Sequence, residues 1–131
     1  MEIKTDWTPD DYFNIDAELT RIEGNIHAVL LTIQAAGYAP ELDEKLAWTQ
    51  YDFPTAAQLN RIVENIEALE QVIAMPDGLP ALPFFDQYMG ADDVNAIERH
   101  IQALGQVATG MVQSFVRSGT MQAGQRPVLL T

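Results

Sequence analysis

The stretch from Trp48 to Leu69, WTQYDFPTAAQLNRIVENIEAL, decides the fold of this chain. It holds an apolar series that continues to residue 73, with steps that alternate between three and four residues, and this spacing is typical of one face of a helix packed against a neighbour. The series consists of Leu59, Ile62, Ile66, Leu69 and Ile73. In front of it, TAAQ at residues 55–58 is a capping box, in which a hydroxyl and an amide satisfy backbone donors at a helix start.

The same pattern occurs twice more, so the chain is predicted to consist of repeated units. The first copy starts at Trp7 and reads WTPDDYFNIDAELTRIEGNIHAV, whereas a weaker third copy, GADDVNAIERHIQAL, starts at Gly90. In the third copy Ala96 replaces the arginine and His100 replaces the second asparagine. Its apolar series is long enough for a coiled-coil-like seam. That series consists of Val94, Ile97, Ile101, Leu104, Ala108, Met111 and Phe115, and the first copy has Leu19, Ile22, Ile26, Val29 and Ile33.

We therefore predict an all-α fold, in which three repeated helical units form a small bundle with irregular linkers and an extended C-terminal arm. The predicted helices cover residues 15–36, 55–74 and 90–117. The units cover residues 6–37, 47–75 and 84–117 of a single domain, 1–131, and the arm covers 118–131. Gly37 is expected to end the first helix in a left-handed conformation, and the proline-rich stretch after residue 75 cannot continue the second.

Negative charge dominates the composition. Seven Lys and Arg against 19 Asp and Glu give a formal net charge of −12. An acidic surface repels phosphate and anionic lipid, so nucleic acid and membranes are not expected as partners. The chain has no cysteine, no signal-peptide pattern at its start and no apolar stretch near the roughly 20 residues of a membrane span. We expect a soluble protein without a signal peptide.

Few residues in the sequence suggest catalysis or metal binding. His27 and His100 are the two histidines, and both are interpreted as polar positions on helix flanks. The sequence contains no HExxH, GxSxG, GxGxxG or phosphate-loop motif. The acidic clusters at residues 10–11, 41–44 and 92–93 lack the alternating spacing of a calcium loop. We therefore predict no enzyme activity, no cofactor and no metal site; a small hydrolase or metal-binding enzyme is the least supported alternative.

Polar residues that recur in the repeat are predicted to hold the segment before each helix, here called the lead-in segment. Arginine and asparagine stand four residues apart in the first two copies and therefore share one helix face. We expect each arginine to pair with the aspartate of its lead-in segment or to stack on its tryptophan. This predicted lock consists of Trp7, Asp11, Arg21, Asn25, Trp48, Asp52, Arg61 and Asn65. A ligand site is the alternative, although a site is seldom needed twice.

Two stretches depart from the repeat and are therefore candidate partner-binding surfaces. One is the aromatic loop PALPFFDQYM at residues 80–89, and the other is the tail VRSGTMQAGQRPVLLT after residue 115. The candidate residues are Phe84, Phe85, Tyr88, Met89, Val128, Leu129 and Leu130. We predict that the tail docks on another chain; a strand that completes its own domain is the alternative.

The pattern WTxxDxxxAxxLNRIExNIxAL, together with RSGTMQAGQ at residues 117–125, resembles small structural proteins encoded among the tail, baseplate and fibre genes of tailed bacteriophages and prophages. The resemblance implies a non-enzymatic virion structural or adaptor protein, made in the host cytoplasm, that contacts other virion proteins and copies of itself. It covers most of the chain but rests on a short helical motif. The competing hypothesis, from the charge alone, is an acidic regulator or inhibitor that binds basic proteins by mimicking nucleic acid.

Overall fold

The computed structural model describes residues 1–86 and 88–121, and side chains in the last helix as far as Gln113. It contains three helices, α1 (Ile15–Ala35), α2 (Ala56–Glu70) and α3 (Ala91–Met121), and each helix contacts the other two. The described ranges contain no strand, so the predicted all-α bundle is confirmed. Within the same ranges, no helix is both long and apolar enough to cross a membrane.

The helix starts follow the capping signals. Thr55 accepts a hydrogen bond from the backbone N–H of Gln58, as the capping box predicts. The Gln58 side chain instead accepts from the Arg61 guanidinium at 2.9 Å, so the reciprocal half of the box is replaced by a contact within the helix. Gly37 has a φ of 98°, which confirms the left-handed end of α1.

Two predicted helix ends differ from the structure. Helix α2 ends at Glu70, four residues before the predicted end, because its last turn tightens: the Val72 N–H donates to the Leu69 carbonyl, three residues back. Helix α3 continues to Met121, so residues 118–121 of the predicted arm are helical. The prediction ended α3 near its last apolar seam residue, but a helix continues through polar residues until a proline or cap stops it. Residues 122–131, which include Val128, Leu129 and Leu130, lie outside the described residues.

The apolar seams meet in one core, as predicted. Leu59, Ile62, Ile66, Leu69 and Ile73 are all buried, with no more than 8% of any of them exposed. The seam of α1 and the seam of α3 as far as Ala108 are buried with them. Full burial of one Leu or Ile side chain contributes about 1.5–3 kcal/mol, so these seams are the main force that closes the bundle.

The three helices run in the same direction, because each lead-in segment returns along the preceding helix. The Lys45 N–H donates to Glu23 at 3.1 Å and the Trp48 N–H donates to Thr20 at 2.9 Å, so this segment runs antiparallel to α1. The N-terminal segment runs antiparallel to α3 in the same way, since the Lys4 N–H donates to Glu98 at 2.9 Å and the Trp7 N–H donates to Asn95 at 2.8 Å. The fold is therefore a parallel three-helix bundle whose contacts repeat with approximate threefold symmetry.

Candidate functional site

A buried glutamate joins the second lead-in segment to two helices. Glu23 of α1 is 2% exposed and accepts a hydrogen bond from the Trp48 indole at 2.6 Å. It also accepts two from the Arg61 guanidinium of α2, both at 2.8 Å, and this bidentate geometry is the strongest form of such a pair. The bonds to Glu23 raise the pKa of Arg61. We call Trp48, Arg61 and Glu23 the second lock.

The first lead-in segment has the same arrangement. Glu98 of α3 is completely buried and accepts from the Trp7 indole at 2.7 Å and from Arg21 of α1 at 2.7 and 2.8 Å. The hydrogen bonds to Glu98 raise the pKa of Arg21. Trp7, Arg21 and Glu98 form the first lock. A buried carboxylate is tolerated in each lock because four protein donors satisfy it: the indole, two from the guanidinium and a backbone N–H of the lead-in segment.

The third junction replaces the whole lock with apolar residues. Phe85 occupies the place of the tryptophan, Ala96 that of the arginine and Val63 that of the glutamate, and all three are buried. The Asn60 side chain holds the Phe85 backbone with two hydrogen bonds of 2.8 Å: its amide nitrogen donates to the Phe85 carbonyl, and its amide oxygen accepts from the Phe85 N–H. Phe85 is therefore a core residue, and its prediction as a partner-binding residue is wrong. The sequence signal that points to this role is the absence of the repeat's Trp and Arg from the third copy together with Val63 in place of the glutamate in the second copy.

A second set of contacts fixes each lead-in segment five residues before its aromatic anchor. The amide of Asn25 donates to the Glu2 carbonyl at 2.7 Å, and that of Asn65 donates to the Asp43 carbonyl at 2.7 Å. In the third unit His100 takes the place of the asparagine and bonds through Nε2 to the Pro80 carbonyl at 2.6 Å. Since a carbonyl only accepts, Nε2 carries the proton.

The arginines do not pair with the lead-in aspartates as predicted. Asp11 accepts instead from the Thr8 N–H at 2.9 Å, and Asp52 accepts from the Thr49 N–H at 2.7 Å. Each aspartate thus closes a turn within its own WTxxD segment, and the Thr49 hydrogen bond lowers the pKa of Asp52. Lysines, rather than arginines, lie over the two indole rings, with the ammonium 4.9 Å from the Trp7 ring centre in the first unit.

Large aromatic side chains are exposed at the end of the bundle where the helices begin. Tyr12, Phe53 and Tyr88 each stand two residues before the residue that precedes a helix, so they occupy equivalent positions in the three units. Their exposed fractions are 84%, 80% and 79%. Phe84, another predicted partner-binding residue, is also exposed. We call the surface that carries Tyr12, Phe53 and Tyr88 the apical face.

An apolar groove of about 560 Å³ opens on the apical face. All three units contribute to it, and its main apolar lining consists of Trp7, Phe13, Phe53, Leu59, Tyr88 and Met89. Met89, the remaining predicted candidate in this loop, is partly buried there. We call this the apical groove. In the described part of the chain, no group of three or more His, Asp or Glu side chains is arranged to hold a metal ion.

Comparison with known proteins adds no relative to these observations. No protein-family model, no curated protein and no solved structure matches the chain.

Proposed function

We propose that this chain is a non-enzymatic structural or adaptor protein of a bacteriophage particle, in the tail, baseplate or fibre-attachment region, that works through multivalent protein contacts. The apical face is the observation that carries the proposal. The assignment to a phage particle rests on the resemblance of the repeated WTxxD and LNRIExNI motifs.

The apical face has the composition of a protein-binding surface. Contiguous exposed apolar patches rimmed by polar residues are typical of interaction sites. Tyrosine and phenylalanine are enriched in interface cores, where a few large side chains supply most of the binding energy. Phe53 and Tyr88 line the groove, and Tyr12 has the equivalent position in the first unit. This arrangement suits a partner that engages several of the three side chains together, and such linked contacts raise overall affinity.

The locks prepare this face for binding. Two of the exposed aromatic side chains lie on a short segment that a buried hydrogen bond holds: Trp7 precedes Tyr12 by five residues, and Trp48 precedes Phe53 by five. A segment that is already ordered loses less conformational entropy when a partner binds. The buried polar residues of the repeat therefore act indirectly, by positioning the binding surface.

Quantitative mass spectrometry of purified particles tests the proposal. We expect the wild-type chain at a constant ratio to other virion proteins, and we expect the variant Tyr12→Ser/Phe53→Ser/Tyr88→Ser to be lost from particles while it still folds. The matched control is Tyr38→Ser, because Tyr38 is 45% exposed but follows the opposite end of α1. Absence of the wild-type chain from particles, together with stable binding to basic host proteins, would replace the proposal with the acidic-regulator hypothesis.

A further inference from the structure

We propose that the chain assembles head to tail, with the C-terminal segment of one copy, residues 126–131, in the apical groove of a second copy. This inference goes beyond the proposed function, because it names the groove and its occupant and holds whether or not the assembly is a virion. Charge, apolar character and chain length each support it.

Acidic and basic residues are distributed unevenly along the sequence. All 19 acidic residues lie at or before Glu98, whereas residues 99–131 contain Arg99, Arg117 and Arg126 and no acidic residue. The four basic residues in the first 98 positions, Lys4, Arg21, Lys45 and Arg61, each form an ion pair with a carboxylate of the same chain. A basic segment is therefore attracted by the acidic part of another copy.

Acidic residues are frequent in the segments that form the apical groove. Asp11 lines it, and Asp10, Asp52, Asp86, Asp92 and Asp93 lie in the lead-in segments or the first turn of α3. The two lysines of the lead-in segments already have carboxylate partners, since Lys45 is paired with Asp52 and Lys4 with Asp6. Arg126 would meet these acidic segments when the apolar residues that follow it enter the groove.

The apolar residues of the tail suit the groove. Pro127, Val128, Leu129 and Leu130 follow one another without a polar interruption. The groove volume of about 560 Å³ lies within the range of roughly 300–1,000 Å³ that is typical of small-molecule pockets, so the groove has room for a few apolar side chains. Its walls are aromatic, and aromatic-lined grooves are a common receptor for extended, proline-containing segments.

The tail cannot reach the apical groove of its own chain. The groove lies at the first turn of α3, where Ala91 and Val94 line it, and α3 then runs for 31 residues to Met121. At 1.5 Å per residue this helix is about 45 Å long. Leu129 follows Met121 by eight residues, and an extended chain of that length spans at most about 29 Å. A tail that enters the groove must therefore belong to a second copy.

A contact between two different surfaces has a consequence for assembly. Each copy offers one groove and one tail, so the interaction continues from copy to copy and gives a ring or an open chain, according to the rotation between neighbours. A face-to-face dimer through the apical faces would instead stop at two copies and would not use the tail.

Sedimentation velocity on the full-length chain tests the inference. We expect the wild-type chain to grow beyond a dimer as its concentration rises, and this growth to weaken at high salt. We expect two variants to lose at least about tenfold in association affinity. They are the groove variant Phe53→Ser/Tyr88→Ser and the tail variant Leu129→Ser/Leu130→Ser. Tyr38→Ser serves as the control and should associate like the wild type.

Mixing the two variants gives the sharpest outcome. The groove variant keeps an intact tail and the tail variant keeps an intact groove, so an equal mixture should form a complex of two chains and no larger species. Circular dichroism melts verify that both variants remain folded, as expected for changes at residues 79–80% exposed in the groove variant. A wild-type chain that stays monomeric at all concentrations, or a tail variant that still associates, would overturn the inference. Loss from particles is measured separately, so the two proposals can fail independently.

Discussion

Glu23→Val is expected to destabilise the protein strongly, because the second lock contains a buried charge. The substitution leaves the Arg61 side chain, which is 12% exposed, without its carboxylate and leaves the Trp48 indole N–H without an acceptor. Removal of one partner of a buried ion pair costs about 3–5 kcal/mol, and an unsatisfied buried donor costs about 1–3 kcal/mol. Arg61 keeps its bonds to Gln58 and to the Asp43 carbonyl, so we expect a total near the lower end, about 3–4 kcal/mol.

The triple variant Glu23→Val/Trp48→Phe/Arg61→Ala should cost less than this single change. It copies the third junction, where Val63, Phe85 and Ala96 are all buried and carry neither a charge nor an indole. The remaining loss is that of packing, from the shorter side chains, and we expect about 1–2 kcal/mol. Replacement of a buried ion pair by apolar residues is often close to neutral for stability, because no unpaired charge stays buried.

Urea denaturation of the wild type, the three single variants and the triple variant measures these differences as changes in the free energy of unfolding. The three sites contact one another, so their effects should be strongly non-additive. A triple variant that is as unstable as the sum of the three single variants would refute the reasoning, because the lock would then not act as a unit.

Three further predictions concern other parts of the bundle. Ile66→Ala should cost about 2–5 kcal/mol, since Ile66 is fully buried, whereas Leu31→Ala, at a position 53% exposed, should change the free energy of unfolding by less than about 0.5 kcal/mol; thermal melts compare the two. His100→Asn keeps a donor for the Pro80 carbonyl, as asparagine does in the other units, but loses the contact of Nδ1 with Glu70, so it should cost about 1 kcal/mol; His100→Leu loses both contacts and should cost about 1–3 kcal/mol in the same melts. The folded-state pKa of Asp52 is lowered by the Thr49 hydrogen bond, so its stabilising contribution should be present above pH 4 or so and decline as the pH falls through the folded pKa; in acid titrations followed by circular dichroism, Asp52→Asn should lack this part of the pH dependence.

The helices and the core could be predicted from the sequence, whereas the partners of the polar residues could not. The periodic apolar series gives the buried face of a helix directly, because burial depends on which residues share that face. Arg61 and Asn65 were correctly placed on one face, but the face does not reveal which helix lies against it. Glu23, which accepts from Arg61, is 38 residues away on another helix.

Two errors of prediction have related causes. The sequence predicts that Arg61 pairs with Asp52 or stacks on Trp48. An aspartate three residues after Thr49 closes its own turn first, since a local hydrogen bond costs less conformational entropy than a distant one.

The sequence places Phe85 on a partner-binding surface because it lies in an aromatic loop that departs from the repeat. Val63 and Ala96 explain the burial of Phe85, but they lie in different repeats. The sequence alone does not show that all three residues belong to the same junction.

The central claim is that the two indole locks hold the lead-in segments in place and thereby fix the apical aromatic side chains. Hydrogen exchange of the indole N–H groups, followed by NMR, tests it most directly, since the chain has two tryptophans and each donates to a buried glutamate. We predict that both indole N–H groups exchange at least about a thousandfold more slowly than a free indole, in line with the global stability of the core. Glu98→Gln should accelerate exchange at Trp7 more than at Trp48. Exchange of either wild-type indole at the rate of free tryptophan would contradict the account, because that lead-in segment would not be held against the bundle.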